Sequence, residues 1–545
     1  MYQMVRRFLG SLSHTGTFIA LVFFAASLTP SLLPRSYLVQ GALSGVCAAV
    51  GYMAGVAVAW LWRYLELPRA SSRERPLKVA FLIAAIAILG VFLWHAVEWQ
   101  NSIRLIWGMD ALDSAEPLKL AAVAILAFAV LLFTGRVFQL AARGLSGWIN
   151  RYVPRRVANA LGVTLAALLF WTAGQGLLLR WALDATDASF QQVDALIDDD
   201  TPAPTDQAKT GSASSLVSWE GLGLQGRRFV SSGPTAPDVG AFWQQTAEKP
   251  IRAYVGLNNG ETVEARAALA LRELQRQGGF DRSILVIIVP TGTGWVDPAA
   301  MDTLEFLHRG DVASVALQYS YLASWLSLMV EPDNGQAAAR ALFTEVYSHW
   351  KTLPRERRPK LYLYGLSLGA LNSQLSTDIY DVVADPFQGA LWTGPPFRSQ
   401  RWRTITDQRQ DLSPAWLPRF RDGSLVRFAN QASPPVQFDA SWGPIRFVYL
   451  QYASDPIVFF ETASLFKEPD WMKGERGPDV SPRLRWFPVV TMLQLTFDMA
   501  IGTTSPMGFG HVYAPEDYID SWIALTDPPY MDHSVVEQLK ARFAK

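Results

Sequence analysis

The chain has 545 residues, half of them hydrophobic, and its 48 basic side chains are balanced by 48 acidic ones. Zero net charge gives none of the basic footprint a nucleic-acid binder needs, and a single cysteine excludes an internal disulfide or a cysteine-type zinc site. The length is too great for one hydrophobic core and calls for two or three domains.

Long apolar stretches dominate the first 185 residues, at 15–33, 39–62, 79–99, 119–140 and 157–183. Each is long enough to cross about 30 Å of hydrocarbon as a helix, so residues 1–185 are expected to form a membrane domain of five transmembrane helices. Arg6 and Arg7 precede the first span. Arg63, Arg69, Arg73, Arg75 and Lys78 lie between the second and third, and Arg136, Arg143, Arg151, Arg155 and Arg156 near or between the fourth and fifth. All three clusters fall on one side, which places the N-terminus in the cytoplasm and everything after residue 185 outside. A cleaved signal peptide would account for the first span alone; four further spans favour an uncleaved anchor.

Residues 186–244, rich in Asp, Ser, Thr, Pro, Ala and Gly, read as a flexible extracytoplasmic linker. From 245 to 545 the pattern becomes that of a folded domain. Strand-like Ile251 to Gly256 is followed by a helical period over 261–277, and Ile284 to Val289 is a buried strand by its β-branched content. A helix over 298–308, a strand over 312–319, a helix over 336–350 and a strand over 360–364 come next. This alternation predicts a mostly parallel sheet with helices on both faces.

The strand at 360–364 runs into Gly365-Leu366-Ser367-Leu368-Gly369, the G-x-S-x-G form of a nucleophile elbow. A serine on a sharp strand-to-helix turn needs glycines where side chains would meet neighbouring backbone. Downstream, Arg446 to Asp455 reads as a buried strand ending in a carboxylate at an Asp-Pro turn. His511 then lies in a glycine-flanked loop. Of six histidines only His511 and His533 follow Asp455; His14 and His95 lie in or beside apolar segments, and His308 and His349 read as capping or surface residues. Ser367, His511 and Asp455 are thus the candidate nucleophile, base and acid, in the chain order of an α/β-hydrolase triad.

The turn after the 284–289 strand, Pro290-Thr-Gly-Thr-Gly-Trp295, is where this fold carries its second oxyanion donor. Leu368 and Thr293 are the candidate donors, and Gly292, Gly294 and Trp295 the candidate substrate-binding residues. A plain glycine turn is the competing reading; a P-loop lacks its lysine and spacing here. A segment over about 397–443 interleaves arginines with Trp402, Trp416 and Trp442 and is expected to form a cap, either solvated or facing anionic headgroups. The apolar run 319–330 suits an acyl pocket, a bilayer contact or simple core packing.

These segments resemble a bacterial integral-membrane α/β-hydrolase family that joins a multi-span N-terminal domain to a catalytic domain. The resemblance runs over nearly the whole chain and is carried by Pro290 to Pro298, Gln318 to Leu322, Gly365 to Gly369, Leu391 to Pro396, Ser454 to Pro456 and Gly508 to His511. The family's elbow often has an acidic residue before the serine, where this chain has Leu366, a departure that leaves the triad intact and alters pocket polarity. The resemblance implies a serine-hydrolase fold in a bacterial inner (plasma) membrane protein, with no metal or organic cofactor. The leading expectation is an extracytoplasmic esterase or lipase acting on lipid or envelope acyl esters. The alternative is an acyltransferase using the same acyl-enzyme to load another acceptor, and a third reading is a non-catalytic lipid-binding or scaffold protein. Expected partners are the lipid bilayer and an acylated substrate.

Overall fold

A computed structural model describes residues 12–67, 75–173, 194, 202–322, 332–435 and 440–544. The apolar N-terminal stretches form helices at His14–Ser27, Tyr37–Tyr64, Arg75–Arg104, Pro117–Ile149 and Arg155–Trp171. Among the described residues three helices are long and apolar enough to cross a membrane: Tyr37–Tyr64, Val79–Arg104 and Pro117–Ile149. The first and fifth of the expected spans are not among these three. The first helix stops at Ser27 after 14 residues, about 21 Å at 1.5 Å per residue and short of the hydrocarbon thickness, because Pro30 and Pro34 turn the chain. The fifth helix has 17 residues, and 174–183 lie outside the described residues.

Tyr37–Tyr64 packs through two small-residue pairs. A Cβ on Gly41 or Gly45 would stand 2.8 or 2.5 Å from the carbonyls of Leu120 or Ala124. One on Gly51 or Gly55 would stand 2.8 or 2.6 Å from those of Ile19 or Thr15. Glycine thereby lets one helix approach a neighbour on each side, the packing that holds helices together where lipid removes the hydrophobic drive. Trp94, Ile125, Phe133 and Leu140 point outward and exposed.

The chain divides into two compact units, Met1–Asp184 with Phe460–Gly502, and Ala185–Phe459 with Thr503–Lys545. The membrane-helix unit therefore includes a segment from deep within the expected catalytic domain. That segment's helix, Val490–Ile501, places Val490 in a core with Ala26, Leu43 and Cys47. Polar contacts fix its seat: Asp498 Oδ2 accepts from the Leu32 N–H at 3.0 Å, and Gln494 Nε2 donates to the Thr29 carbonyl at 3.0 Å. Trp107 Nε1 donates to the Asp479 carbonyl at 2.9 Å.

In the second unit, seven parallel strands lie in the order β1-β3-β2-β4-β5-β7-β6: β1 Ile251–Val255, β2 Ile284–Val289, β3 Val312–Leu317, β4 Lys360–Leu366, β5 Gly389–Thr393, β6 Val426–Ala429 and β7 Arg446–Leu450. Every residue of β1, β2 and β3 is buried, as expected for strands covered on both faces. Two expectations change. Residues 202–243 fold instead of forming a spacer: Phe229 and Val230 of the helix Gly223–Ser231 are buried. Thr235 and Asp238 close a reciprocal capping box on Ala236–Trp243. The segment 397–443 supplies β6, the edge strand, so part of it extends the sheet instead of capping it. Its Arg427 is turned inward, giving hydrogen bonds to the Gly423, Pro435 and Ala440 carbonyls with Trp442 stacked at 3.9 Å. That arginine is satisfied internally, without a headgroup.

Candidate active site

β4 ends at Leu366, and Ser367 adopts φ 57°, ψ −124° before the helix Leu368–Leu375 begins. A non-glycine residue held there stores about 1–3 kcal/mol of strain that the surrounding packing must override. The two elbow glycines show how. A Cβ on Gly365 would lie 2.4 Å from the Gly369 carbonyl oxygen, and one on Gly369 would lie 2.2 Å from that of Val289. The Ser367 N–H donates to the Thr393 carbonyl at 2.9 Å, which ties the turn to the end of β5.

β7 continues through Gln451 into Asp455, which is fully buried. Its Oδ1 accepts from the Ile457 N–H at 2.9 Å. Its Oδ2 lies 2.6 Å from His511 Nδ1 and accepts from the Tyr513 hydroxyl at 2.6 Å. His511 stands on a loop bent at Gly508 (φ 86°) and Gly510 (φ 59°), and the Gly510 N–H donates to Ser454 Oγ at 2.9 Å. With Nδ1 donating to the carboxylate, Nε2 is left as the acceptor. That atom is buried and has no hydrogen-bond partner among the described residues. Gly394, with φ 51°, lies so near that a Cβ would approach His511 Cε1 to 2.7 Å. Thr393 and Gly394 at the end of β5 thus hold the serine backbone on one side and touch the imidazole on the other.

In the glycine turn, the Thr291 N–H donates to the Trp295 carbonyl at 3.0 Å and the Gly294 N–H to the Thr291 carbonyl at 2.9 Å. Gly294 (φ 85°) is held from behind, its carbonyl accepting from the Tyr254 hydroxyl at 2.8 Å, while Gln318 Nε2 reaches the Thr293 carbonyl at 3.4 Å. The Gly294 N–H is therefore spent inside the turn, while the Thr293 and Leu368 N–H groups make no backbone hydrogen bond among the described residues. The close approach of Gly369 to the Val289 and Pro290 carbonyls sets the helix start against this turn. Trp295 is part-exposed at the turn.

Residues 251–539 match the model of the alpha/beta-hydrolase family, and residues 28–234 match the model of that family's N-terminus. The chain belongs to the alpha/beta-hydrolase family. No curated protein and no solved structure matches it.

Three residues of the candidate site in this alpha/beta-hydrolase family member escape a reading of motifs. Tyr513 shares the Asp455 oxygen with His511, and Gly394 lines the imidazole. Asp297 caps the helix Pro298–Leu307 through the Ala299 N–H, at 3.0 Å, and accepts from the Tyr518 hydroxyl at 2.9 Å. Burial pushes the Asp297 carboxyl up to about 6, and it lies within the electrostatic reach of His511. The Asp297-Pro298 pair signals a helix start in the sequence, not a second carboxylate within the electrostatic reach of His511. His308, read as a capping or surface residue, caps that helix and is half-buried, and burial pushes its imidazole down to about 4. Among the described residues no group of three His, Cys, Asp or Glu side chains is placed to hold a metal.

Proposed function

We propose that this α/β-hydrolase is a membrane-anchored serine esterase or lipase in which Ser367, His511 and Asp455 cleave acyl esters of lipid or envelope substrates. The observation that carries the reading is the imidazole: Nδ1 is engaged by a fully buried carboxylate at 2.6 Å while Nε2 is buried and unpartnered among the described residues, in the same unit as a serine on a strained elbow. An acceptor kept from water and from protein donors is suited to take a proton from a nucleophile.

Ser367 Oγ attacks the ester carbonyl as its proton passes to His511 Nε2, and Asp455 stabilises the imidazolium so formed. The N–H groups of Leu368 and Thr293 stabilise the oxyanion. The imidazolium returns the proton to the departing alcohol, leaving an acyl-serine. A water activated by His511 then releases the acid and restores the serine. The three membrane-capable helices and their exposed apolar faces favour an acyl substrate delivered from a bilayer. The one-sided arginine clusters, taken together with a crossing by the expected span 157–183, favour a catalytic half outside the cytoplasm.

The test is labelling of the full chain in mixed micelles by a fluorophosphonate, comparing wild type with Ser367→Ala and His511→Ala. Labelling lost in both variants is expected. Folded wild-type protein that never labels overturns the reading. With a radiolabelled acyl lipid, free acid as the product supports hydrolysis, and transfer of the label to an acceptor replaces it with acyl transfer.

A further inference from the structure

Asp455 Oδ2 serves two donors at equal distance. His511 Nδ1 and the Tyr513 hydroxyl each lie 2.6 Å from it, while Oδ1 accepts from the Ile457 N–H at 2.9 Å. The orientation of an acid beside its histidine needs only the backbone bond on Oδ1 and the imidazole on Oδ2, so the phenol is an additional donor on the oxygen that stabilises the imidazolium. It is held there firmly. Tyr513 is buried, its ring stacks on Tyr452 at 4.4 Å, and burial together with the Asp455 carboxylate keeps its hydroxyl protonated. Tyr452 in turn accepts from the Ala514 N–H at 2.9 Å and donates to Asp517, so the phenol cannot swing away without disturbing the start of the helix Pro515–Thr526.

We propose that Tyr513 is a positioning residue that sets the basicity of His511 by drawing on the same carboxylate oxygen. The inference rests on the triad reading given above. A charge-assisted O–H···O⁻ bond delocalises carboxylate charge, so Asp455 has less to give to a protonated imidazole. The imidazolium formed during the reaction is then less stabilised by Asp455 than it would be beside a carboxylate bound to the imidazole alone. The other groups facing His511 are Asp297 from the turn before Pro298–Leu307, and Gly394 at the end of β5, which carries no charge. Tyr518, beyond Tyr513, donates to Asp297. None of these touches Asp455 Oδ2 among the described residues.

Two variants move the donor in opposite directions while keeping the ring. Tyr513→Phe removes the hydroxyl. Site-specific replacement of Tyr513 by difluorotyrosine makes it a stronger donor. The first readout needs no activity: the carbon-13 titration of His511 Cε1 in the full chain in detergent, assigned by its loss in His511→Gln. Tyr513→Phe is expected to move the midpoint up by about half to one pH unit, and the fluorinated residue to move it down. The second is the acid limb of the fluorophosphonate labelling rate, expected to follow the midpoint. A midpoint that stays in place in both variants, or moves the wrong way, overturns the proposal whatever happens to the rate. Wild-type protein that titrates as expected but never labels sinks the triad reading and leaves the Tyr513 effect standing as a property of the Asp-His pair.

Discussion

The Tyr254 hydroxyl, near the end of β1, donates to the Gly294 carbonyl at 2.8 Å, and a Cβ on Gly294 would crowd that same hydroxyl at 2.5 Å. The turn and the tyrosine are fitted to one another, and the fit fixes the peptide planes beside the Thr293 N–H. Tyr254→Phe keeps the buried ring and loses the bond, at about 1 kcal/mol. Turnover is expected to fall about five- to tenfold with KM little changed. Steady-state kinetics on a short-chain ester read this directly, and a rise in KM at constant turnover would remove the turn from the oxyanion site.

Gly394→Ala tests the floor beneath the imidazole. The new methyl group would meet His511 Cε1 at 2.7 Å on a backbone with φ 51°, so His511 must shift. A displacement near 1 Å is expected to slow probe labelling on the order of a hundredfold, with a stability loss of about 1–2 kcal/mol from the left-handed alanine. Labelling at the wild-type rate would show that the base does not use this position.

Asp455→Asn replaces an acceptor for three donors with an amide that presents its own N–H. His511 Nδ1 then loses its fixed tautomer, and turnover is expected to drop on the order of a thousandfold or more with the fold retained. Circular dichroism and the labelling rate together decide it; a well-folded variant of near-normal activity would take Asp455 out of the triad.

Stability should depend on two buried carboxyls. Burial raises Asp297 to about 6 and Asp517 to about 7. In the unfolded chain both lose their protons near pH 4. Between pH 4 and these raised values the folded protein holds protons that the unfolded chain has lost, so the stabilisation present below pH 4 fades as pH rises through 6 and 7. For Asp297 the full effect is on the order of 2–3 kcal/mol. Asp297→Asn is expected to flatten the fall of Tm between about pH 4 and 6 in thermal scans; an unchanged slope would show that this carboxyl is charged throughout.

What the sequence revealed, and what it hid, follow from the range of each interaction. β2 announces itself because six consecutive buried residues, Ile284 to Val289, have no polar face. The elbow is equally local, since Gly365 and Gly369 answer to backbone within a few residues and one neighbouring strand. β6 was hidden because Arg427 looks like a surface residue until carbonyl partners surround its guanidinium. Residues 202–243 have linker composition, yet Thr235 and Asp238 act as caps, a use that composition alone does not separate from disorder. Tyr513 is two positions from His511, and only the fold of the loop turns its hydroxyl onto the carboxylate beyond. The allotment of Phe460–Gly502 to the helical unit was invisible for the same reason: Gln494 and Asp498 meet partners more than 450 positions away.

That last segment means that a single cut between the two halves of the sequence does not separate the two compact units. A truncation starting at residue 185 would keep Val490 and Asp498 but discard Ala26, Leu43, Cys47 and the Leu32 N–H that cover them. It would carry an orphaned apolar strip between Asp455 and His511 in the chain. Excising Phe460–Gly502 as well, and rejoining the ends with a short bridge, is the minimal surgery that respects both units.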